Sequence, residues 1–145
     1  MEVRLLRVID DLPLGIEALS AAAASEGVRN VALLLDGWRN GERFEGPGEA
    51  LFAAHVDGAL AGLGGVTPCR DLPGAERMRR FYVTPPYRRA GFGRILAGAA
   101  MQEGLQHARI LTCNAGASAA AGPFWESLGF ARVAIPGLTH WLETS

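Results

Sequence analysis

The chain has 145 residues and a formal net charge of −1; 49% of its residues are hydrophobic and 20% are charged. This length fits one domain, taken here as residues 1–145, and the ordinary apolar content with little net charge excludes a disordered chain. All 14 basic residues are arginine, which excludes a Walker-type phosphate loop and Schiff-base catalysis, and no apolar run of about 18 residues predicts a membrane span.

The N-terminal half predicts a strand, two helices and a hairpin. Residues 2–9 form a strand-like run, and apolar residues at helical spacing predict helices over 12–27 and 31–38. Glycine, proline and glutamate dominate residues 40–49 and predict a loop. Strands over 50–56 and 59–66 flank Asp57-Gly58, a dipeptide that favours a tight hairpin turn.

The C-terminal half alternates strands and helices. A strand over 78–83 ends at Pro85-Pro86, and an amphipathic helix follows over 91–104. A short apolar strand over 108–113 precedes a helix over 117–128, which Gly129 closes. Two strands, 131–135 and 138–142, complete the chain around Pro136-Gly137. The order βααβββαβαββ predicts a layered α/β domain.

The segment 81–94, FYVTPPYRRAGFGR, carries the chemistry of the sequence. A strand leads into a turn with arginines and glycines, and a helix begins directly afterwards. The first N–H groups of a helix lack intrahelical partners, and the helix dipole adds positive charge there. Gly91 and Gly93 let an anion approach these amides closely. Charged donors are added by Arg88, Arg89 and Arg94. The segment therefore predicts a phosphate-binding site.

Motifs in two places resemble those of the GNAT superfamily of N-acetyltransferases. Residues 88–93, RRAGFG, are similar to its (Gln/Arg)-x-x-Gly-x-(Gly/Ala) signature, and residues 124–130, FWESLGF, to its Phe-Tyr-Glu-x-Leu-Gly-Phe element. Residues 81–85 resemble the central strand of the family, and the element order agrees along nearly the whole chain. The resemblance implies a mixed, mostly antiparallel sheet with helices on both faces.

The resemblance also implies direct transfer of an acetyl group from acetyl-CoA, the co-substrate, to a primary amine of a small molecule or peptide. The amides of the turn would hold the pyrophosphate, and a bulge would splay the central strand so that pantetheine pairs with its backbone. A backbone N–H there would polarise the thioester carbonyl. A homodimer is implied as well. The residues expected to bind acetyl-CoA are Phe81, Tyr82, Val83, Arg88, Arg89, Ala90, Gly91, Phe92, Gly93, Arg94, Ser118 and Trp125.

Three positions depart from the family pattern. Trp125 stands where many members have a tyrosine that protonates the leaving thiolate; an indole cannot supply a proton at neutral pH, so we expect Trp125 to pack. Arg77 stands where the family often has glutamate, and the adjacent Glu76 would face the other side of a regular strand unless a bulge intervenes. Ser118 replaces a frequent asparagine. The candidates for proton handling are Glu76 and His140, which lies in the last strand; a structural role is the alternative for His140.

The other reactive residue types add no site. His55, His107 and His140 stand far apart in the sequence, so we expect no metal. Cys69 and Cys113 are expected to be reduced thiols of a cytoplasmic protein. Because neither a cysteine nor a serine lies in a nucleophile motif, we expect no covalent enzyme intermediate.

The distribution of charge favours a cationic acceptor, although solvated surface charge explains the same pattern. Six arginines lie between Arg77 and Arg94, and acidic residues dominate the stretch around the loop before the hairpin: Asp36, Glu42, Glu45, Glu49 and Asp57. Two other functions stay open. Trp125 is compatible with a catalytically silent CoA-binding sensor. Aromatic residues among the arginines would suit a nucleic-acid-binding module, but the sequence pI near 6.3 argues against nucleic acid.

Overall fold

The computed structural model describes residues 1–145 and confirms the expected order of elements. They are β1 (Val3–Arg7), α1 (Ile16–Ser25), α2 (Asn30–Arg39), β2 (Ala50–Val56), β3 (Ala59–Pro68), β4 (Glu76–Val83), α3 (Phe92–Leu105), β5 (Ile110–Cys113), α4 (Ala121–Ser127), β6 (Ala131–Ile135) and β7 (Leu138–Glu143). A single 3₁₀ turn, Pro85–Tyr87, follows β4. The longest helix, α3, has 14 residues, and no helix is long and apolar enough to cross a membrane.

The seven strands form one mixed sheet in the order β1-β2-β3-β4-β5-β7-β6. Every neighbouring pair is antiparallel except β4 and β5, which are parallel and are joined through α3. Parallel strands require such a crossover because a hairpin can join only antiparallel ones. The hairpin between β2 and β3 turns at Asp57 (φ 50°) and Gly58 (φ 84°), the positive angles that a tight turn of this kind needs.

Helices cover both faces of the sheet, as the resemblance implied. Alternation along β2 shows the division: Leu51 and Ala53 pack with α1 and α2, whereas Ala50 packs with α3 and α4. Successive side chains of a strand point to opposite faces, so one buried strand serves two apolar layers. The sheet is therefore buried at its centre on both sides, and the site described below lies in that central region.

Two helices begin later than the sequence indicated. α1 begins at Ile16 rather than residue 12, because Gly15 takes a left-handed conformation (φ 91°) that interrupts a helix. α4 begins at Ala121 rather than residue 117, since Pro123 is tolerated only in the first turn of a helix. Residues 117–120 consequently lie outside α4, in the segment that leads to it from β5.

Candidate functional site

Strands β4 and β5 separate at the centre of the sheet. They pair only at Glu76 with Leu111 and at Arg77 with Thr112. From residue 78 to 83, the edge of β4 that faces β5 therefore has no strand partner. An open strand edge of this kind can pair with an extended ligand through backbone hydrogen bonds.

A bulge in β4 lies beside this gap. Arg80 and Phe81 together stand opposite Gly64 of β3, and Arg80 has a φ of 64°. The ring of Phe81 lies over Gly64 in the space that a β-carbon there would fill. The side-chain amide of Asn30 fixes the bulge by donating a hydrogen bond to the carbonyl oxygen of Phe81 (2.9 Å). The sequence analysis did not identify Asn30, which lies 51 residues from its partner.

A cavity of about 890 Å³ occupies the gap between β4 and β5. All residues expected to bind acetyl-CoA line it except Ala90. Aromatic and aliphatic side chains form one part of the wall. The charged residues of the wall are Glu26, Arg77, Arg79, Arg80, Arg88, Arg89 and Arg94. A long ligand with an anionic end and a less polar body fits such a lining.

The turn before α3 presents a row of unpaired backbone N–H groups at one end of the cavity. The N–H of Arg88 donates to Pro85 (3.1 Å), and the next to donate is that of Ile95, to Gly91 (3.0 Å). Between them, the N–H groups of residues 89–94 have no acceptor in the protein. Arg89 (φ 65°) and Gly91 (φ 86°) are both left-handed, a backbone shape that gathers successive N–H groups into a concave cradle. With the positive end of α3 behind it, this cradle is suited to a phosphate.

Arg88, the first residue of the signature, is held by the protein itself. Its guanidinium donates two hydrogen bonds to Glu26 (2.7 and 2.6 Å) and one from Nε to the carbonyl of Val83 (3.0 Å). The hydroxyl of Tyr82 donates to the same carboxylate (2.5 Å). The cluster ties the end of α1 to Tyr82 of β4, 56 residues away, and to Arg88, 62 residues away, so no local spacing could have indicated Glu26.

The same contacts decide how Glu26 and Tyr82 ionise. Hydrogen bonds from Arg88 and then from Tyr82 lower the pKa of Glu26. Burial, followed by the bond to Glu26, raises the pKa of Tyr82 to about 12. Glu26 is thus a weak base and Tyr82 remains protonated at neutral pH. Their arrangement indicates a structural contact rather than an acid–base pair.

Trp125 packs in an aromatic cluster at the cavity wall. Its ring meets Phe81 (4.9 Å between centroids), Phe124 (5.1 Å) and Phe130 (5.1 Å), each edge to face. Only 5% of Trp125 is exposed. Contacts of this geometry stabilise beyond the area that they bury, which agrees with the packing role expected for this residue. Ser118 also lines the cavity and is exposed.

Glu76 does not line the cavity and lies on the α3 side of the sheet. The bulge that could have redirected it stands at Arg80, so the strand is regular at Glu76. Its carboxylate lies against Gly48, where a β-carbon would come within 2.8 Å, and its Oε1 has no hydrogen-bond partner. Burial, then the charges of Glu49 and Glu103, raise the pKa of Glu76 to about 7. Glu76 therefore lies outside the cavity lining and shares no hydrogen-bond partner with His140.

His140 is buried beneath α4 and bonded at both ring nitrogens. Nε2 lies 2.7 Å from Oε2 of Glu126, and Nδ1 lies 2.8 Å from the hydroxyl of Thr139. Bonds from His140 and then from Arg132 lower the pKa of Glu126, which is a carboxylate at neutral pH. His140 lines a second hollow of about 440 Å³, which shares Ser118 with the large cavity. Any contact of His140 with a ligand in the large cavity is therefore indirect.

The cysteines and metal-binding residue types form no further site. Cys69 and Cys113 are buried and unpaired, and burial raises the pKa of Cys113 to about 12. Cys113 is consequently a neutral thiol rather than an activated nucleophile. No group of three or more His, Cys, Asp or Glu side chains is arranged to hold a metal ion.

Comparison with known proteins agrees with this geometry. Residues 22–144 match the family described as Acetyltransferase (GNAT) domain. The chain is similar to a protein from Exiguobacterium sp. 255-15 assigned as an acetyltransferase, with 30% identity, a TM-score of 0.88, and coverage of 99% of this chain and 94% of that one. No curated protein matches the sequence.

Two more distant structures share the fold. Ard1 from Thermoplasma volcanium has 21% identity and a TM-score of 0.72, with 99% of this chain and 98% of that chain covered. N-acetylglutamate synthase from Neisseria gonorrhoeae, solved with coenzyme A and N-acetyl-glutamate, has 15% identity and a TM-score of 0.69. The match covers 99% of this chain and 35% of that chain.

Proposed function

The chain belongs to the GNAT acetyltransferase family, and from that premise we propose that it transfers the acetyl group of acetyl-CoA directly to a primary amine of a small molecule or peptide. The observation that carries the proposal is the row of unpaired N–H groups at residues 89–94, placed at one end of a cavity along an open strand edge. Those amides, with Arg89 and Arg94, would hold the pyrophosphate, and the open edge of β4 would pair with pantetheine.

Acetyl-CoA supplies an acetyl group that is activated as a thioester. In the transfer, the amine nitrogen bonds to the acetyl carbon, the carbon–sulfur bond breaks, and the proton that the amine loses ends on the thiolate of CoA. The contribution of this chain is alignment and charge stabilisation. Backbone N–H groups of β4 around Phe81 and Val83 would stabilise the negative charge that develops on the thioester oxygen. No protein nucleophile takes part, since the Cys113 thiol is neutral.

Transfer also needs a group that takes the proton of the acceptor ammonium. Among the candidates from the sequence, His140 is the one proposed here, acting through water and the Thr139 hydroxyl, because both its ring nitrogens are already bonded and its hollow shares only Ser118 with the cavity. Glu126 would hold the imidazole in place. Trp125 supplies no proton, and a thiolate whose conjugate acid has a pKa of about 8.5 leaves without an acid.

The experiment is a thiol-release assay of the purified protein with acetyl-CoA and a panel of amines, with each acetylated product identified by mass spectrometry. We expect thiol release that depends on the amine and an equal amount of N-acetyl product. Tight binding of acetyl-CoA without turnover on any amine would contradict catalysis and favour the silent sensor. Salt-sensitive binding of an oligonucleotide without binding of acetyl-CoA would instead favour the nucleic-acid module.

A further inference from the structure

Three arginines of β4 line the cavity away from the phosphate-binding turn. Arg77, Arg79 and Arg80 all border it. Because a strand rises about 3.3 Å per residue, they lie about 10–20 Å along β4 from Val83, the residue nearest the turn. A pyrophosphate bound to the amides of residues 89–94 is therefore out of reach of these arginines, which could contact a second ligand instead.

Arg77 and Arg79 lie on the side of the sheet covered by α1 and α2, because alternate residues of a regular strand share a face. Arg79 pairs in register with Gly65, which packs against Phe44 of the α1/α2 core. Its guanidinium also lies 3.6 Å from Glu42, which follows α2. α3, whose first amides form the phosphate cradle, covers the opposite face. An acceptor that approaches from the α1/α2 side meets Arg77 and Arg79 before it reaches the gap between β4 and β5.

Positive charge is in excess at this end of the cavity. Arg77 is 3.4 Å from Asp71 and Arg79 is 3.6 Å from Glu42, but half-buried Arg80 has neither an ion pair nor a side-chain hydrogen bond. Burial is the largest of the causes that lower the pKa of Arg80. The positive charge of Arg79 lowers this pKa further, Glu42 opposes the change, and Arg77 adds a smaller lowering effect. An anion bound here would relieve this repulsion and pair the unpartnered guanidinium.

Negative charge that could bind a cation is missing from the cavity wall. Glu26 is the single acidic residue that lines it, and its carboxylate already accepts bonds from Arg88 and Tyr82. None of the acidic residues that favoured a cationic acceptor in the sequence analysis borders the cavity. Several of them bond elsewhere; Glu45, for instance, accepts the N–H of Asp10.

We propose that the acceptor is an amine that also carries an anionic group, a carboxylate or a phosphate, and that Arg80 binds this group together with Arg79 and Arg77. The inference rests on the proposed acetyl transfer and narrows its acceptor class. The arginines hold the anion while the amine reaches toward the gap in which the acetyl group would lie. A site within a cavity selects a small anionic amine over an extended acidic polymer.

Matched pairs of acceptors test the charge requirement. Thiol release is measured with α-amino acids and the corresponding amino-acid amides, with O-phosphoethanolamine and ethanolamine, and with aliphatic diamines. We expect kcat/KM to be at least about tenfold higher for the anionic member of each pair. The same assay compares the carboxylate of the amino acids with the phosphate of O-phosphoethanolamine. A preference for the amides, ethanolamine or the diamines would overturn the inference while leaving acetyl transfer intact.

Arg80→Gln tests the residue, with Arg39→Gln as the matched control because Arg39 is exposed on α2 and does not line the cavity. Arg80→Gln should raise KM for the anionic acceptor about ten- to a hundredfold and change KM for its neutral partner less than about threefold. The Kd of acetyl-CoA should stay as in the wild type. Equal losses for charged and neutral acceptors, or weaker acetyl-CoA binding, would contradict the assignment.

A binding measurement separates this inference from the proposed reaction. Calorimetry with CoA present compares an N-acetyl amino acid with its amide, in the wild-type protein and in Arg80→Gln. Preferential binding of the acid that is lost in Arg80→Gln supports the anion site even if no amine is turned over, in which case the proposed catalysis fails alone. Absence of any preference for the acid overturns the anion site whether or not transfer occurs.

Discussion

Replacement of Glu76 by glutamine should change how the stability of the protein depends on pH. The Glu76 carboxyl is 3% exposed and lies close to Gly48, and the charges of Glu49 and Glu103 oppose its ionisation. Its pKa of about 7 in the folded protein compares with an ordinary value of 4.5. The folded state therefore binds this proton more tightly than the unfolded state does.

The sign and size of the effect follow from that difference. Below pH 4.5 both states are protonated, so Glu76 adds no pH dependence; between pH 4.5 and 7 stability falls as pH rises, and above pH 7 the full loss remains. The two pKa values correspond to at most about 3 kcal/mol of unfolding free energy. Because a glutamine side chain does not ionise, the Glu76→Gln variant should escape this loss.

Urea unfolding of the wild type and of Glu76→Gln at pH 4.5 and pH 8 measures the effect. The difference in unfolding free energy between the two proteins should move by about 3 kcal/mol in favour of the variant from the lower to the higher pH. Glu143→Gln, an exposed change at the end of β7, should show no such movement. A difference that is the same at both pH values would refute the account of Glu76 as a buried, unpaired carboxyl.

The same variant distinguishes a structural carboxyl from a catalytic one. Glu76 lies on the α3 side and does not line the cavity. We expect kcat of Glu76→Gln to fall less than about threefold at 25 °C. Removal of a general base typically lowers a rate by about 10²–10⁴, so a loss of that size would return Glu76 to the catalytic residues.

Three further substitutions test the site. Trp125→Phe keeps most of the aromatic packing and should leave kcat within about fivefold, whereas a hundredfold loss at unchanged acetyl-CoA affinity would give the indole a chemical role. His140→Ala should lower kcat and alter the pH–rate profile if His140 takes the acceptor proton; an unaltered profile would remove it from the mechanism. Gly64→Ala should destabilise the protein by about 1–3 kcal/mol and weaken acetyl-CoA binding, because the new methyl group displaces Phe81 from the bulge. The expectation would be contradicted if the unfolding free energy from urea and the acetyl-CoA affinity from calorimetry were both the same in Gly64→Ala as in the wild type.

The parts of the fold that follow from local signals were predictable from the sequence. Asp57-Gly58 fixes its hairpin through the angles that the turn demands. The apolar spacing of α3 predicts a helix that buries Phe92 and Leu96, although Ile95 of the same predicted face is 42% exposed. The row of unpaired N–H groups before α3 was predictable for the same reason, since it is built from consecutive residues. The predicted start of α4 at residue 117 was wrong. The apolar spacing continues through residues 117–120, but Pro123 sets the boundary of the helix.

Long-range contacts could not be predicted from one sequence. Glu26 and Asn30 reach β4 from the region of α1 and α2, and neither lies in a motif. The position of the bulge at Arg80, rather than near Glu76, depends on pairing with β3, which lies more than ten residues away along the chain. The charge balance along the chain consequently favoured a cationic acceptor, whereas the charged residues that line the folded cavity are, apart from Glu26, all arginines.

The most direct test of the central claim is the affinity for acetyl-CoA of Ala90→Glu beside Ala90→Gln. Ala90 is exposed within the row of unpaired N–H groups, and both side chains have nearly the same size. A carboxylate at a helix N-terminus does not destabilise the helix, so the fold should persist in both variants. If the amides of residues 89–94 hold the pyrophosphate, calorimetry should show Kd raised about tenfold or more by Ala90→Glu and little changed by Ala90→Gln. Equal affinity in the two variants and the wild type would contradict the phosphate cradle and, with it, the proposed binding of acetyl-CoA.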